Sequence, residues 1–235
     1  MRKTILTLLM ALSAVIVSAH SLWIETSATG KAGQAQAVNL FYGEYGQNEK
    51  DELSKWFANL PDLTLWLTAP DGKKEKLVLT KTANSLQSSF TPEREGAYTL
   101  TVSHKGNTLS GTYLLEFLAS ASVRVGKAGL AAEPAANTSE LKVLPLGDAT
   151  VNKPVTVKVW LKGAAKADLT VLLFSPAKWS QELKTDAEGN VTFTPLWPGQ
   201  YLVEATSSSP EAGEFNGNKY TGLWQGATYR FEVGR

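Results

Sequence analysis

The chain has 235 residues, 43% of them hydrophobic and 19% charged, with a formal net charge of +1 and no cysteine. That composition supplies a packed core and excludes whole-chain disorder, while the near-neutral, interspersed charge excludes the basic stripe that nucleic-acid binding needs. Without cysteine there are no disulfides, thiolate metal ligands or cysteine nucleophiles.

In chain order the first feature is Arg2-Lys3 ahead of the apolar run 5–17, closed by the small residues Ser18-Ala19. This is the organisation of a secretory signal. An N-terminal anchor is the alternative, but a spanning helix takes about 20 apolar residues and this run is shorter. The expectation is a signal peptide at 1–19, cleavage between Ala19 and His20, and a periplasmic mature chain without a transmembrane segment.

Beyond residue 20 polarity alternates with period two, which predicts strands at 38–42, 63–67, 98–102, 113–118, 155–161, 169–174, 201–205 and 229–233. Turn signals separate them: Pro70-Asp71-Gly72, Glu95-Gly96, Glu188-Gly189-Asn190 and Pro198-Gly199. One segment departs from this pattern. Leu53, Trp56, Phe57 and Leu60 stand at i, i+3, i+4 and i+7, with Asn48 as a cap and Pro61 as a stop, predicting a short helix near 49–59 that covers a sheet edge.

The sequence also repeats. Phe90-Thr91-Pro92 followed by Gly96-Ala97-Tyr98 recurs as Phe193-Thr194-Pro195 followed by Gly199-Gln200-Tyr201, and, after a three-residue slip, Leu63-Thr64-Leu65 matches Leu169-Thr170-Val171. In each copy a strand ends at proline, glycine closes the turn and tyrosine opens the next strand. The expected fold is all-β: two tandem β-sandwich (Ig/prealbumin-like) domains at 20–125 and 138–235, joined by the Ala/Gly-rich linker 126–137, with one short helix.

Common catalytic constellations are missing. Serine or cysteine hydrolysis needs a histidine oriented inside the fold; only His104 could serve, and no Gly-x-Ser-x-Gly motif accompanies it. No Gly-rich phosphate loop opens a helix, and no carboxylate pair looks glycosidase-like. What remains is the placement of the two histidines. As the leading residue of the mature chain, His20 offers its α-amine and the ring nitrogen nearest the backbone. The amine pKa of about 7.7–8.0 makes deprotonation at neutral pH cost only about 1 kcal/mol. His104, expected where a loop leaves strand 98–102, would complete a three-nitrogen histidine brace. Glu44, after Gly43 at the end of strand 38–42, is the candidate third side chain. Amine and imidazole nitrogen suit Cu(II), Ni(II), Co(II) or Zn(II). His104 aligns with Ser207 of the second copy, so the β unit itself does not require histidine there. The alternatives are a surface histidine at a strand end and an accident of where cleavage falls.

The opening His20-Ser21-Leu22-Trp23-Ile24-Glu25 resembles the His-Asp-x-Trp-Leu-Glu start of an exported NikM-like family described as a periplasmic component of cobalt/nickel transport. Phe41-Tyr42-Gly43-Glu44, Leu144-Pro145-Leu146 and the segment from Gly213-Glu214-Phe215 to Tyr220 agree with it. The family often has Gly-His where this chain has Gly43-Glu44, which exchanges an imidazole for a carboxylate. The second copy, with Thr185-Asp186-Ala187-Glu188-Gly189-Asn190-Val191, also resembles prealbumin-like domains of carboxypeptidase regulatory modules.

The resemblance implies a role in metal uptake or handling. The leading expectation is a non-enzymatic periplasmic protein that binds a divalent transition metal (nickel, cobalt or copper) through His20, His104 and Glu44. Its partners would be the metal and a membrane metal transporter or outer-membrane receptor. A β-sandwich binding or scaffold module, contacting protein or glycan through Trp160, Trp179, Trp197 and Trp224, is the alternative. A copper monooxygenase is a lesser one, because such enzymes also begin with a brace histidine.

Overall fold

The computed structural model describes residues 20–127 and 136–235. The expected signal 1–19, and 128–135 of the expected linker, lie outside the described residues.

Alternation in the sequence becomes alternation in burial. Val155, Val157 and Val159 are buried, while Thr156, Lys158 and Trp160 between them are half-buried. The principal strands of the first half are β1 (Ser21–Thr26), β2 (Gln36–Gly43), β3 (Leu65–Thr68), β4 (Lys74–Leu77), β5 (Leu86–Phe90), β6 (Gly96–Ser110) and β7 (Tyr113–Val125). Those of the second are β8 (Leu141–Pro145), β9 (Val155–Leu161), β10 (Thr170–Phe174), β11 (Ser180–Lys184), β12 (Asn190–Phe193), β13 (Gly199–Ser209) and β14 (Gly222–Gly234). The chain is all-β. Among the described residues no helix is long and apolar enough to cross a membrane.

The two halves repeat one topology. β1, β2 and β5 pair in that order, as do β8, β9 and β12, each set antiparallel. The remaining strands join a single ten-stranded sheet with the eight-strand path β11-β10-β13-β14-β7-β6-β3-β4, while the two-residue strands Thr29–Gly30 and Ala149–Thr150 pair parallel with the ends of β7 and β14. Along that path it is antiparallel within each half and parallel at the seam, where Phe117 of β7 lies opposite Gly226 of β14. A half-turn about an axis along the strands keeps β7 and β14 parallel, reverses their neighbours and exchanges the faces of the sheet. The cores accordingly lie on opposite faces. Phe117, Ala119, Ala121 and Val123 of β7 point into the first core with Leu22, Ile24, Leu40 and Leu100. Leu118, on the other face of the same strand, packs into the second core with Val157, Tyr201 and Phe231.

The repeated Phe and Tyr take matching roles. Tyr98 lies 5.6 Å from the Phe90 ring and donates its hydroxyl to the Arg94 carbonyl at 3.2 Å. Tyr201 lies 6.0 Å from Phe193 and donates to the Trp197 carbonyl at 3.1 Å.

Two expectations differ. In place of one helix near 49–59 there are 3-10 turns at Tyr45–Gln47, Leu53–Lys55 and Leu60–Asp62. A 3-10 turn also stacks residues i and i+3, so it buries Trp56 and Leu60 without a continuous helix, and Ala58 with φ of 49° interrupts any such helix. The second concerns His104, expected at a strand end. β6 continues to Ser110, and His104 sits within it opposite Phe117, just before an irregularity between Lys105 and Leu109. The polar run from Ser103 to Thr108 reads as a loop by composition, yet Ser103, His104 and Lys105 pair with β7 and the hairpin resumes at Leu109.

Strand β1 positions the candidate site. Among the described residues one of its edges is paired, with β2. The other lies over the seam, where Thr228 of β14 donates its hydroxyl to the Leu22 carbonyl at 2.6 Å and Ser21 donates to Glu204 of β13 at 2.6 Å. Side chains of the second half thus cap an edge that would otherwise be open.

Candidate functional site

His20 stands immediately before β1, and the β1–β2 register sets Ser21 opposite Gly43. Gly43 has φ of 149°, and a Cβ there would lie 2.4 Å from the Glu49 carbonyl oxygen. Glycine is therefore required at this point. The turn that follows folds back on itself: Glu49 donates its N–H to the Glu44 carbonyl at 3.0 Å, and Asp51 donates to the Tyr42 carbonyl at 2.9 Å. That reversal brings two carboxylates to one imidazole. Glu44 Oε1 is 2.9 Å from His20 Nδ1, and Asp51 Oδ2 is 3.3 Å from His20 Nε2. The Tyr42 ring lies 5.4 Å from that of His20.

A third carboxyl lies beneath. Glu204 is 1% exposed and accepts the Ser21 hydroxyl. Burial pushes its pKa up, the Ser21 hydrogen bond opposes this, and the nearby Glu44 charge adds to the rise, leaving it at about 7. The Tyr42 phenol is raised as well, by burial and then by the charges of Asp51, Glu44 and Glu204. The surroundings of His20 are thus rich in negative potential.

Of the residues expected from the sequence, His20 and Glu44 come together. His104 has its own neighbours: it hydrogen-bonds to the Asn59 backbone and feels the charge of Asp62, and its Nε2 is buried without a hydrogen-bond partner among the described residues. Burial holds its pKa below the usual histidine value against those two opposing effects. Among the described residues no hydrogen bond, ion pair or ring contact joins His104 to His20. Nor do three or more His, Asp or Glu side chains form a group able to hold a metal ion. The reason is visible at the imidazole, since Glu44 and Asp51 approach opposite ring nitrogens.

Two residues of this site escaped the sequence reading. Asp51 reaches it only through the turn that Gly43 permits. Glu204 follows Val203 in a strand whose inward residues are Tyr201, Val203 and Ala205, so it reads as solvent-facing until β1 is seen to cover that face.

No family model matches the chain, and no curated protein matches it. Among solved structures it is similar to Salmonella alpha-2-macroglobulin reacted with methylamine, at 14% identity and a TM-score of 0.30, over 92% of this chain and 15% of that one. The chain thus spans less than a sixth of that protein, and a likeness at this score carries no argument about function.

Proposed function

We propose that this is an exported protein that binds a divalent transition metal (copper, nickel or cobalt) at His20 and takes part in metal uptake or handling. The observation that carries the reading is the 2.9 Å separation of His20 Nδ1 and Glu44 Oε1. Two ligands bonded at about 2.0–2.2 Å and about 90° to one another stand about 2.9 Å apart, so these atoms suit neighbouring ligand positions on one ion. The α-amine freed by cleavage before His20 is the third donor, closing a six-membered chelate with Nδ1. Asp51 at Nε2 then has the part often found behind a metal-bound histidine, a carboxylate that accepts the far N–H and fixes ring and tautomer. The negative potential of Glu44, Asp51 and Glu204 favours a cation at this place. His104 stands outside this ligand set, and the NikM-like resemblance of the opening residues agrees in chemical class.

The test is calorimetric titration of protein beginning at His20 with Cu(II), Ni(II) and Co(II). One extra residue before His20, and separately E44A, should each weaken binding at least tenfold, about 1.4 kcal/mol. D51N should weaken it roughly 10- to 100-fold through the imidazole it orients. H104A should leave affinity within twofold. Copper should bind tightest, and all three metals more weakly on acidification, because protons compete for the same lone pairs. Equal affinity with and without the extra residue overturns the proposal.

One observation favours a binding module as a second reading. An open groove of about 490 Å³ lies beside His20, lined by Tyr42, Tyr113, Leu115, Phe117 and Trp224. A melting temperature indifferent to every divalent metal, with saturable binding of a glycan or peptide in that groove, would favour it.

A further inference from the structure

A cavity of about 410 Å³ lies on the far side of β1 from the first core, where the turn after β2 meets the β10–β11 turn. It belongs neither to the site at His20 nor to either core. Its walls are aromatic: Trp23 and Tyr45 meet edge to face at 5.3 Å, and Tyr45 lies 5.9 Å from Phe174. Trp179, 45% exposed, stands at its margin.

The charge on those walls is unbalanced. Glu25 is the one acid among the lining residues, against Lys50, Lys178 and Arg230. Glu25 is already engaged, paired with Lys50 at 3.1 Å and accepting the Trp23 indole N–H at 3.0 Å. Burial alone would raise its pKa, but those two hydrogen bonds and the charge of Arg230 outweigh burial and keep it below the usual carboxylate range. Lys50 is likewise committed, with its ammonium 3.4 Å from the centre of the Phe41 ring.

Arg230 and Lys178 remain. Arg230 rises from the sheet floor and hydrogen-bonds to Tyr45, yet its Nε–H is buried with no acceptor among the described residues. A buried donor on a charged group lacks a bond worth about 1.5–3 kcal/mol, and native proteins rarely leave one so. Lys178 has no ion-pair partner among the described residues. Cationic side chains beside aromatic walls are complementary to an anion that carries a ring.

We infer that this cavity is a binding site for a small aromatic carboxylate, its carboxylate against Arg230 and Lys178 and its ring between Phe174, Tyr45 and Trp179. A pocket of this volume lies in the range that encloses such molecules. Arginine holds a carboxylate through two parallel N–H donors, and Arg230 is among the residues that line this cavity. The site is independent of metal at His20, because it shares none of that site's residues.

The experiment titrates the full chain, without added metal, with 2-naphthoate, 2-naphthamide and acetate. Saturable binding of 2-naphthoate is expected, with the amide and acetate each at least tenfold weaker, since one lacks the charge and the other the ring. R230Q should lower 2-naphthoate affinity at least tenfold. W179A alters an exposed ring at the margin, so it leaves the fold intact and keeps the test decisive should R230Q fail to fold; it should lower affinity at least threefold. No saturation by about 10 mM, equal affinity for acid and amide, or a folded R230Q that binds like the parent overturns the inference.

Discussion

Glu204 shows how one side chain can make stability depend on pH. It lies under the start of β1, faced by the Ser21 hydroxyl, the Glu44 carboxylate and the Tyr42 ring, and its folded pKa is raised to about 7. The folded protein therefore holds this proton more tightly than the unfolded chain, whose carboxyl titrates near the ordinary value of 4.5. Its contribution to stability is full below that ordinary value and is lost as pH rises through about 7. In metal-free protein the loss between pH 4 and 8 should reach roughly 3 kcal/mol, at about 1.4 kcal/mol for each pKa unit. E204Q keeps the shape and the acceptor but removes the titration. Urea unfolding across that range should show the parent losing stability relative to E204Q, with the gap opening above pH 5. A gap that does not change with pH would mean that the carboxyl titrates normally. The sequence concealed this residue because alternation assigns a strand two faces and cannot say that a distant strand covers the second.

At the scale of elements, the repeat was legible and its consequence can be measured. Phe90 with Tyr98, and Phe193 with Tyr201, mark the same corner in each half, and each tyrosine hydroxyl ties down backbone four residues upstream. Y98F and Y201F should each destabilise by about 1–3 kcal/mol, because each hydroxyl also accepts backbone N–H groups, those of Glu93 and Arg94 for Tyr98 and of Trp197 for Tyr201. The double variant should lose the sum of the two, because the corners share no partner. Denaturant midpoints check both values, and a double variant no worse than one single would show that the corners are not independent. The strands were legible for the same reason as the corners: period-two alternation and turn residues are local signals. Their lengths were not, as β6 shows. Ser103, His104 and Lys105 are poor strand formers, and pairing with β7 holds them extended up to the irregularity that follows. The expected helix failed through a local ambiguity, since i, i+3 spacing serves a string of 3-10 turns as well as an α-helix. At the candidate site, His20 and Glu44 were legible because both flank strands whose register the alternation sets. Asp51 was not, because its approach depends on a turn geometry that a glycine allows but does not announce.

At the scale of the molecule, the sequence suggests two domains on a linker, while the structure runs one sheet through both halves. The parallel seam pairs β7 with β14 from Tyr113–Gly222 to Ser120–Tyr229. Cores also cross it. Leu118 lies in the first half but is buried in the second core, and Trp224 lies in the second half but packs against the first. A third cluster joins Trp23 and Phe41 of the first half to Leu202 of the second, with Phe174 against it. Separating the halves would expose two eight-residue strand edges, Tyr113 to Ser120 and Gly222 to Tyr229, together with these apolar faces. The whole chain should therefore unfold in one transition, with calorimetric and van't Hoff enthalpies equal. L100A lies in the first core and L118A in the second, and each should lower that same transition by about 2–5 kcal/mol. Fragments 20–127 and 136–235, made separately, should each lack the near-ultraviolet dichroism of packed aromatic rings and regain it when mixed. Two resolved transitions, one moved by L100A and the other by L118A, would show instead that the seam is a contact between self-sufficient domains.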